Sequence, residues 1–232
     1  TVKTTSGNTV TVSQATGTAG SFEYTLLSVA DANTCSQDQN GSATIVVNEP
    51  LIAPVAGNNQ AICWNSTPAT LTVITPATGG TGSYTYQWQS STNGSTDWTN
   101  AGTGISYNPG ILYETAYYRV ITTDAGIHSC GTVTSTVVTI TVGNALTQPT
   151  ISGDQSICYN FTPEALTVTI PATGGTGGFS YTWQKSINGT SGWTIVGIGT
   201  SYAPSALTST MWYRAIAYDL SNPSCGSVVS TS

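Results

Sequence analysis

His128 is the single imidazole of the 232-residue chain, and with Ser129 beside it and Asp124 shortly before it, the residue types of a hydrolytic triad are present. A triad draws its three side chains from separate elements onto one point, whereas these share one short stretch. The position equivalent to His128 in a second copy of the same segment is Pro223, so His128 reads as an exposed loop residue. Two glycine-rich runs, Gly79-Gly80-Thr81-Gly82 and Gly174-Gly175-Thr176-Gly177, have the composition of a phosphate cradle. Neither is followed by the lysine and helix N-terminus that such a cradle requires, and both read as turns between strands. Asp31, Asn33 and Asp38 cluster without the spacing of a calcium loop, and the later copies carry no acids at the matching places. Zinc lacks a ligand set, since there is no Cys-x-x-Cys pair. Glycoside hydrolysis needs two carboxylates facing one cleft, yet only Asp124 and Asp219 recur, one in each copy. The expectation is a non-enzyme with no catalytic residue, cofactor or metal.

The copies themselves carry more information. Cys63 and Cys158, Trp88 and Trp183, Trp98 and Trp193, Tyr118 and Tyr213, Arg119 and Arg214, Asp124 and Asp219, and Cys130 and Cys225 are each separated by 95 positions. Repetition at domain length is how extended proteins gain reach. The cysteines of each copy stand 67 apart, which predicts the bridges Cys63–Cys130 and Cys158–Cys225 in an oxidising compartment. In the chain-entropy model, closing a loop of that size contributes about 4 kcal/mol. Cys35 aligns with Cys130 and Cys225 and is expected to be unpaired in this segment, as part of an earlier, incomplete copy.

Recurring polar and aromatic residues have structural readings. Arg119 with Asp124, and Arg214 with Asp219, are expected to form ion pairs within each copy. Trp88 and Trp183 lie mid-strand in Tyr-Gln-Trp-Gln and Tyr-Thr-Trp-Gln, where a large ring fills the space between two sheets; Tyr118 and Tyr213 are expected beside them in the core. Trp98 and Trp193 follow Asn-Gly turns. They suit a packed edge strand, with glycan contact as the competing reading.

Positioning all of these is a β architecture. Apolar and polar residues alternate over 71–74, 84–88, 117–121 and 137–142, and turn signals recur every eight to twelve residues. No stretch has the period of a useful helix. This pattern predicts tandem antiparallel β-sandwiches: a partial unit over 1–48 holding only later strands, a full unit over 49–143, and a unit over 144–232 lacking its final strand. Pro50 and Pro149 stiffen short joins between them. Both ends look cut from a longer chain.

Composition narrows the partners. Hydrophobic residues make up 38% of the chain, with six Trp and twelve Tyr, so packed cores rather than disorder are expected. Only 6% of residues are charged, the formal charge is -6, and just four residues are basic. No basic stripe is available for nucleic acid or an anionic membrane. No apolar run is long enough for direct membrane insertion.

The succession Gln-x-Ile-Cys, Pro-Ala-Thr-Gly-Gly-Thr-Gly, Tyr-x-Trp-Gln, Asn-Gly, Trp-Thr, Tyr-Tyr-Arg-Val and Ser-Cys-Gly resembles the Ig-like tandem repeats of large Bacteroidetes cell-surface and secreted proteins. These include the SprB-like gliding-motility adhesins and other type IX secretion substrates. The resemblance covers Leu51 to Ser232 and, more weakly, Ser21 to Asn48. It implies an immunoglobulin-like fold, an extracellular location at the cell surface, and a non-enzymatic stalk of an adhesin or filament linked to attachment or gliding. The partners it implies are adjacent Ig-like repeats of the same chain, with surface polysaccharide or other filament chains beyond them. A carbohydrate-binding array, and an accessory array of a secreted hydrolase, are the alternatives.

Overall fold

The computed structural model describes residues 9–232, so the first eight residues of the partial unit lie outside the described residues. That unit is one antiparallel hairpin, β1 (Gly20–Ala30) with β2 (Ser36–Val47). Among the described residues no second sheet covers it, and Leu26, Leu27, Val29 and Val46 are exposed.

The next unit comprises β3 (Val55–Ala56), β4 (Gln60–Ile62), β5 (Leu71–Thr75), β6 (Tyr84–Ser91), β7 (Thr99–Thr103), β8 (Ser106–Tyr107), β9 (Ala116–Asp124), β10 (Thr132–Thr134) and β11 (Val138–Val142). One sheet runs β4-β11-β9-β6-β7 with β10 also on β9; the other runs β3-β5-β8. All these pairings are antiparallel except β4 with β11, a parallel contact where the first strand crosses to the opposite sheet. Two sheets joined this way form an immunoglobulin-like sandwich.

Alternation explains why these strands close on one another. Along β9, Tyr118, Val120, Thr122 and Asp124 point inward, every second residue. Tyr118 and Val120 meet Leu71, Trp88, Val138 and Ile140 in one core. Trp88 is fully buried, with its indole N–H donating to Gly104 O at 3.0 Å, so burial leaves no polar atom unpaired there.

The last unit repeats the plan with β12 (Asn144–Thr147), β13 (Thr150–Ile151), β14 (Leu166–Ile170), β15 (Thr173–Gly175), β16 (Phe179–Ser186), β17 (Thr194–Ile198), β18 (Ser201–Tyr202), β19 (Trp212–Asp219) and β20 (Ser227–Val229). Trp183 again is fully buried and donates to Gly199 O at 3.0 Å. Among the described residues the only helical turn is the 3-10 turn Pro223–Cys225.

The two units differ where β11 stands. Ser232 is equivalent to Val137, the residue before β11. Beside the start of β19 in the last unit is a cavity of about 670 Å³, lined by Ile151, Cys158, Leu166, Met211, Trp212 and Tyr213 among others. The core of this unit forms two clusters, around Trp183 and around Tyr181.

Candidate functional site at the joint between units

The joins are paired strands rather than free linkers. β12 pairs with β15, and its Thr147 hydroxyl meets that of Thr173 at 2.7 Å while accepting from Thr173 N. At the preceding join, Gly80 N donates to Glu49 O at 2.8 Å and Ile52 N to Thr78 O at 2.8 Å, the same contacts one repeat earlier. The run Gly79–Gly82 is a turn, whereas Gly174 and Gly175, expected in a turn, belong to β15; both runs clasp the incoming chain. Gly174 shows why glycine is needed: its φ is +89°, and a Cβ there would fall 2.0 Å from Ala145 O.

Each clasp is fixed from inside by a buried carboxylate. Asp219 accepts from Thr176 N at 2.6 Å, and from Ser221 N and Asn222 N at 2.9 and 3.2 Å. Asp124 accepts from the Thr81 hydroxyl and amide, from Gly126 N and from Cys130 N at 2.9 Å. Both carboxyls are held below the usual carboxylate range. For Asp124 the Thr81 hydroxyl contributes most, and for Asp219 the Thr176 amide. One side chain therefore ties the linker-clasping turn to the loop bearing Cys130 or Cys225.

This geometry corrects the expected ion pairs. Arg119 and Asp124 are separated by an odd number of residues on β9, so their side chains leave opposite faces of the sheet, and Arg214 and Asp219 repeat the arrangement on β19. Arg119 instead donates to Gln89 Oε1 at 2.9 Å and lies over the Trp98 ring at 4.2 Å; Arg214 does the same with Gln184 and Trp193, at 2.8 and 4.1 Å. Trp98 and Trp193 are half-buried, with one ring face occupied by a guanidinium that a sugar would have to replace.

The expected bridges Cys63–Cys130 and Cys158–Cys225 are replaced by a single disulfide between Cys63 and Cys225, with Cα atoms 5.2 Å apart and a sequence separation of 162. The reason is the length of β9. Cys63 follows β4 at the end of its unit where Gly143 N donates to Ile62 O, beside the join to the next unit. Cys130 lies at the other end, its Sγ 4.0 Å from Asn48 Nδ2 in the join to the preceding unit. The nine residues of β9 put roughly 27 Å of strand between those ends, far beyond the ~4.4–6.8 Å a disulfide spans. Cys225 sits at the N-proximal end of the last unit, within reach of Cys63 at the C-proximal end of the unit before. Cys35, Cys130 and Cys158 are free and exposed.

The other candidates are placed simply. His128 and Ser129 are exposed, and the Asp124 carboxylate is directed to Thr81, Gly126 and Cys130. Asp31 caps its own turn through Asn33 N and Cys35 N, both at 2.9 Å. Among the described residues no group of three or more His, Cys, Asp or Glu converges as a metal site. Tyr118 is a core residue whose hydroxyl is pushed up to about 12 by burial, helped by Tyr107; burial also raises Tyr213. Sequence reading missed the carboxylate clasp, although Gly-Thr-Gly and Asp recur in both copies.

A single family profile matches twice, over residues 52–144 and 147–232. The chain belongs to the family described as Domain of unknown function (DUF8696). The two DUF8696 units match the two sandwiches, and Cys63–Cys225 joins one to the other. Among solved structures, domains A168–A170 of titin are 16% identical, with a TM-score of 0.49, covering 84% of this chain and 70% of theirs. The three N-terminal domains of the highly immunogenic outer capsid protein of bacteriophage RB49 are 12% identical at a TM-score of 0.49, covering 88% and 73%. No curated protein matches the chain.

Proposed function

We propose that the chain is a non-enzymatic structural segment of a secreted bacterial surface stalk, in which DUF8696 units set length and stiffness. The observation that carries this reading is the joint: the short join is backbone-paired to the unit that follows it and a disulfide links the two units, so their relative placement is held rather than left to a flexible linker. A disulfide between exposed loops persists in an oxidising compartment, which supports an extracellular location. The adhesin setting and export by the type IX route rest on the motif resemblance alone.

Antibody against residues 49–232 is expected to label intact cells of the source organism, with the label lost after brief external protease treatment. Labelling confined to lysed cells would sink the surface-stalk reading.

A further inference from the structure

Cys130 and Cys158 are the open halves of the same staple that joins Cys63 to Cys225. Cys158 is equivalent to Cys63 and Cys130 to Cys225, one repeat away in each case. We propose that each takes a second copy of this repeat: Cys158 the N-proximal cysteine of a following unit, Cys130 the C-proximal cysteine of a preceding one. The pairing rule is a sequence separation of 162, and Cys130, Cys158 and Cys35 are the free thiols to which it applies.

Two observations beyond the free thiols specify this partner. The first is the bonded pair itself, which shows what the equivalent positions ligate in the same molecule. The second lies at Asn48. Its equivalent one repeat later is Gly143, whose amide bonds Ile62 O immediately before Cys63. Asn48 therefore marks where the preceding unit's C-proximal cysteine belongs, and Asn48 Nδ2 lies 4.0 Å from Cys130 Sγ. The loop carrying Cys130 is already held in place, because its amide donates to Asp124 Oδ2. At the other end, Cys158 opens onto the cavity beside Ser232, the end of the unit that a following unit would meet.

The chemistry is an exchange with a disulfide donor. Two thiols lose two protons and two electrons to form the new S–S bond, and the donor's disulfide is reduced to two thiols. Paired this way, units form a head-to-tail series in which every joint carries the same bond. This inference rests on the stalk reading only for its setting. The pairing rule holds or fails on its own chemistry.

The test uses the full chain in its oxidised form. A Cys35→Ser/Cys130→Ser protein keeps Cys158, and a Cys35→Ser/Cys158→Ser protein keeps Cys130. Each is incubated with oxidised glutathione, alone and in equimolar mixture, and resolved without reductant. The mixture is expected to give a Cys158–Cys130 heterodimer several-fold above the level random pairing predicts, with peptide mapping retaining Cys63–Cys225 in both partners. Homodimers in statistical proportion, no dimer at all, or mapped Cys63–Cys130 and Cys158–Cys225 peptides would each overturn the proposal. Loss of cell-surface labelling would instead strike the stalk reading and leave the pairing rule intact.

Discussion

Thr176 N donates to Asp219 Oδ2 at 2.6 Å while Ser221 N and Asn222 N donate to Asp219 Oδ1, and this one side chain ties the turn that grips the join to the loop that presents Cys225. Asp124 and Thr81 repeat it one unit earlier. A carboxylate in this position organises two loops without needing a cation.

The clasp makes stability acid-sensitive. A depressed folded pKa contributes stability that is fully present above the unfolded value near 3.8 and is lost as pH falls from there through the folded value. The melting temperature is expected to be flat from neutral pH down to that region and then to fall. In Asp124→Asn/Asp219→Asn the melting temperature should be lower at neutral pH and the acid fall shallower, as followed by circular dichroism. An unchanged acid limb would place the acid sensitivity elsewhere.

Gly174→Ala forces a Cβ against Ala145 O and strains a positive φ. The cost should be roughly 1–3 kcal/mol or more. Hydrogen exchange at 144–147 should accelerate while exchange in β16 and β19 stays slow, since the lesion is at the join. Uniform acceleration would mean that the whole unit, rather than the join, depends on this turn.

Thr122 is fully buried, and its hydroxyl has no hydrogen-bond partner. The equivalent residue in the last unit is Ala217, also fully buried. Thr122→Val should stabilise the chain by about 1 kcal/mol by removing an unsatisfied polar atom at nearly constant volume. Urea unfolding measures this, and a loss of stability would show that the hydroxyl finds a partner in solution.

Cys63→Ser opens a loop of 162 residues, for which the chain-entropy model gives about 5 kcal/mol. More telling is cooperativity: the oxidised chain is expected to unfold with the two units coupled, and Cys63→Ser to show two separable transitions in calorimetry. Identical thermograms for the two would remove the bridge as a coupling device.

Appending Val-Thr-Ile-Thr-Val, the sequence of β11, after Ser232 should fill the cavity beside Trp212 and Tyr213. Burial of one Val and one Ile at the positions of Val138 and Ile140 is worth roughly 1.5–3 kcal/mol each. The upper melting transition should rise by several degrees, and a scrambled Thr-rich tail should leave it unchanged.

Much of the fold was legible because period and alternation are local signals. Trp88 and Trp183 are at the core positions that the Tyr-x-Trp-Gln strands predict, and Tyr118 lies beside Trp88. Cysteine pairing was not legible, because a separation of 67 within a repeat and one of 162 across two are equally consistent with the periodicity. Only the length of β9 between the two ends decides. The Arg119–Asp124 error was avoidable: an odd spacing on a strand already places the two on opposite faces. The carboxylate clasp needed three dimensions, since Thr81 and Asp124 are 43 residues apart.

Pulling on the chain from its ends would expose what the Cys63–Cys225 bond does to tension. Force arriving at Cys63 crosses two sulfur atoms to Cys225, and the residues between carry none of it. About 550 Å of potential contour, from a separation of 162 at ~3.4 Å per residue, is thereby withheld from extension. Under oxidising conditions the strands between the two cysteines cannot act as a shock absorber by unravelling, and extension is left to the β1–β2 hairpin and to β3, β4 and β20 outside the bond. A reductant turns the same chain into one that lengthens under strain.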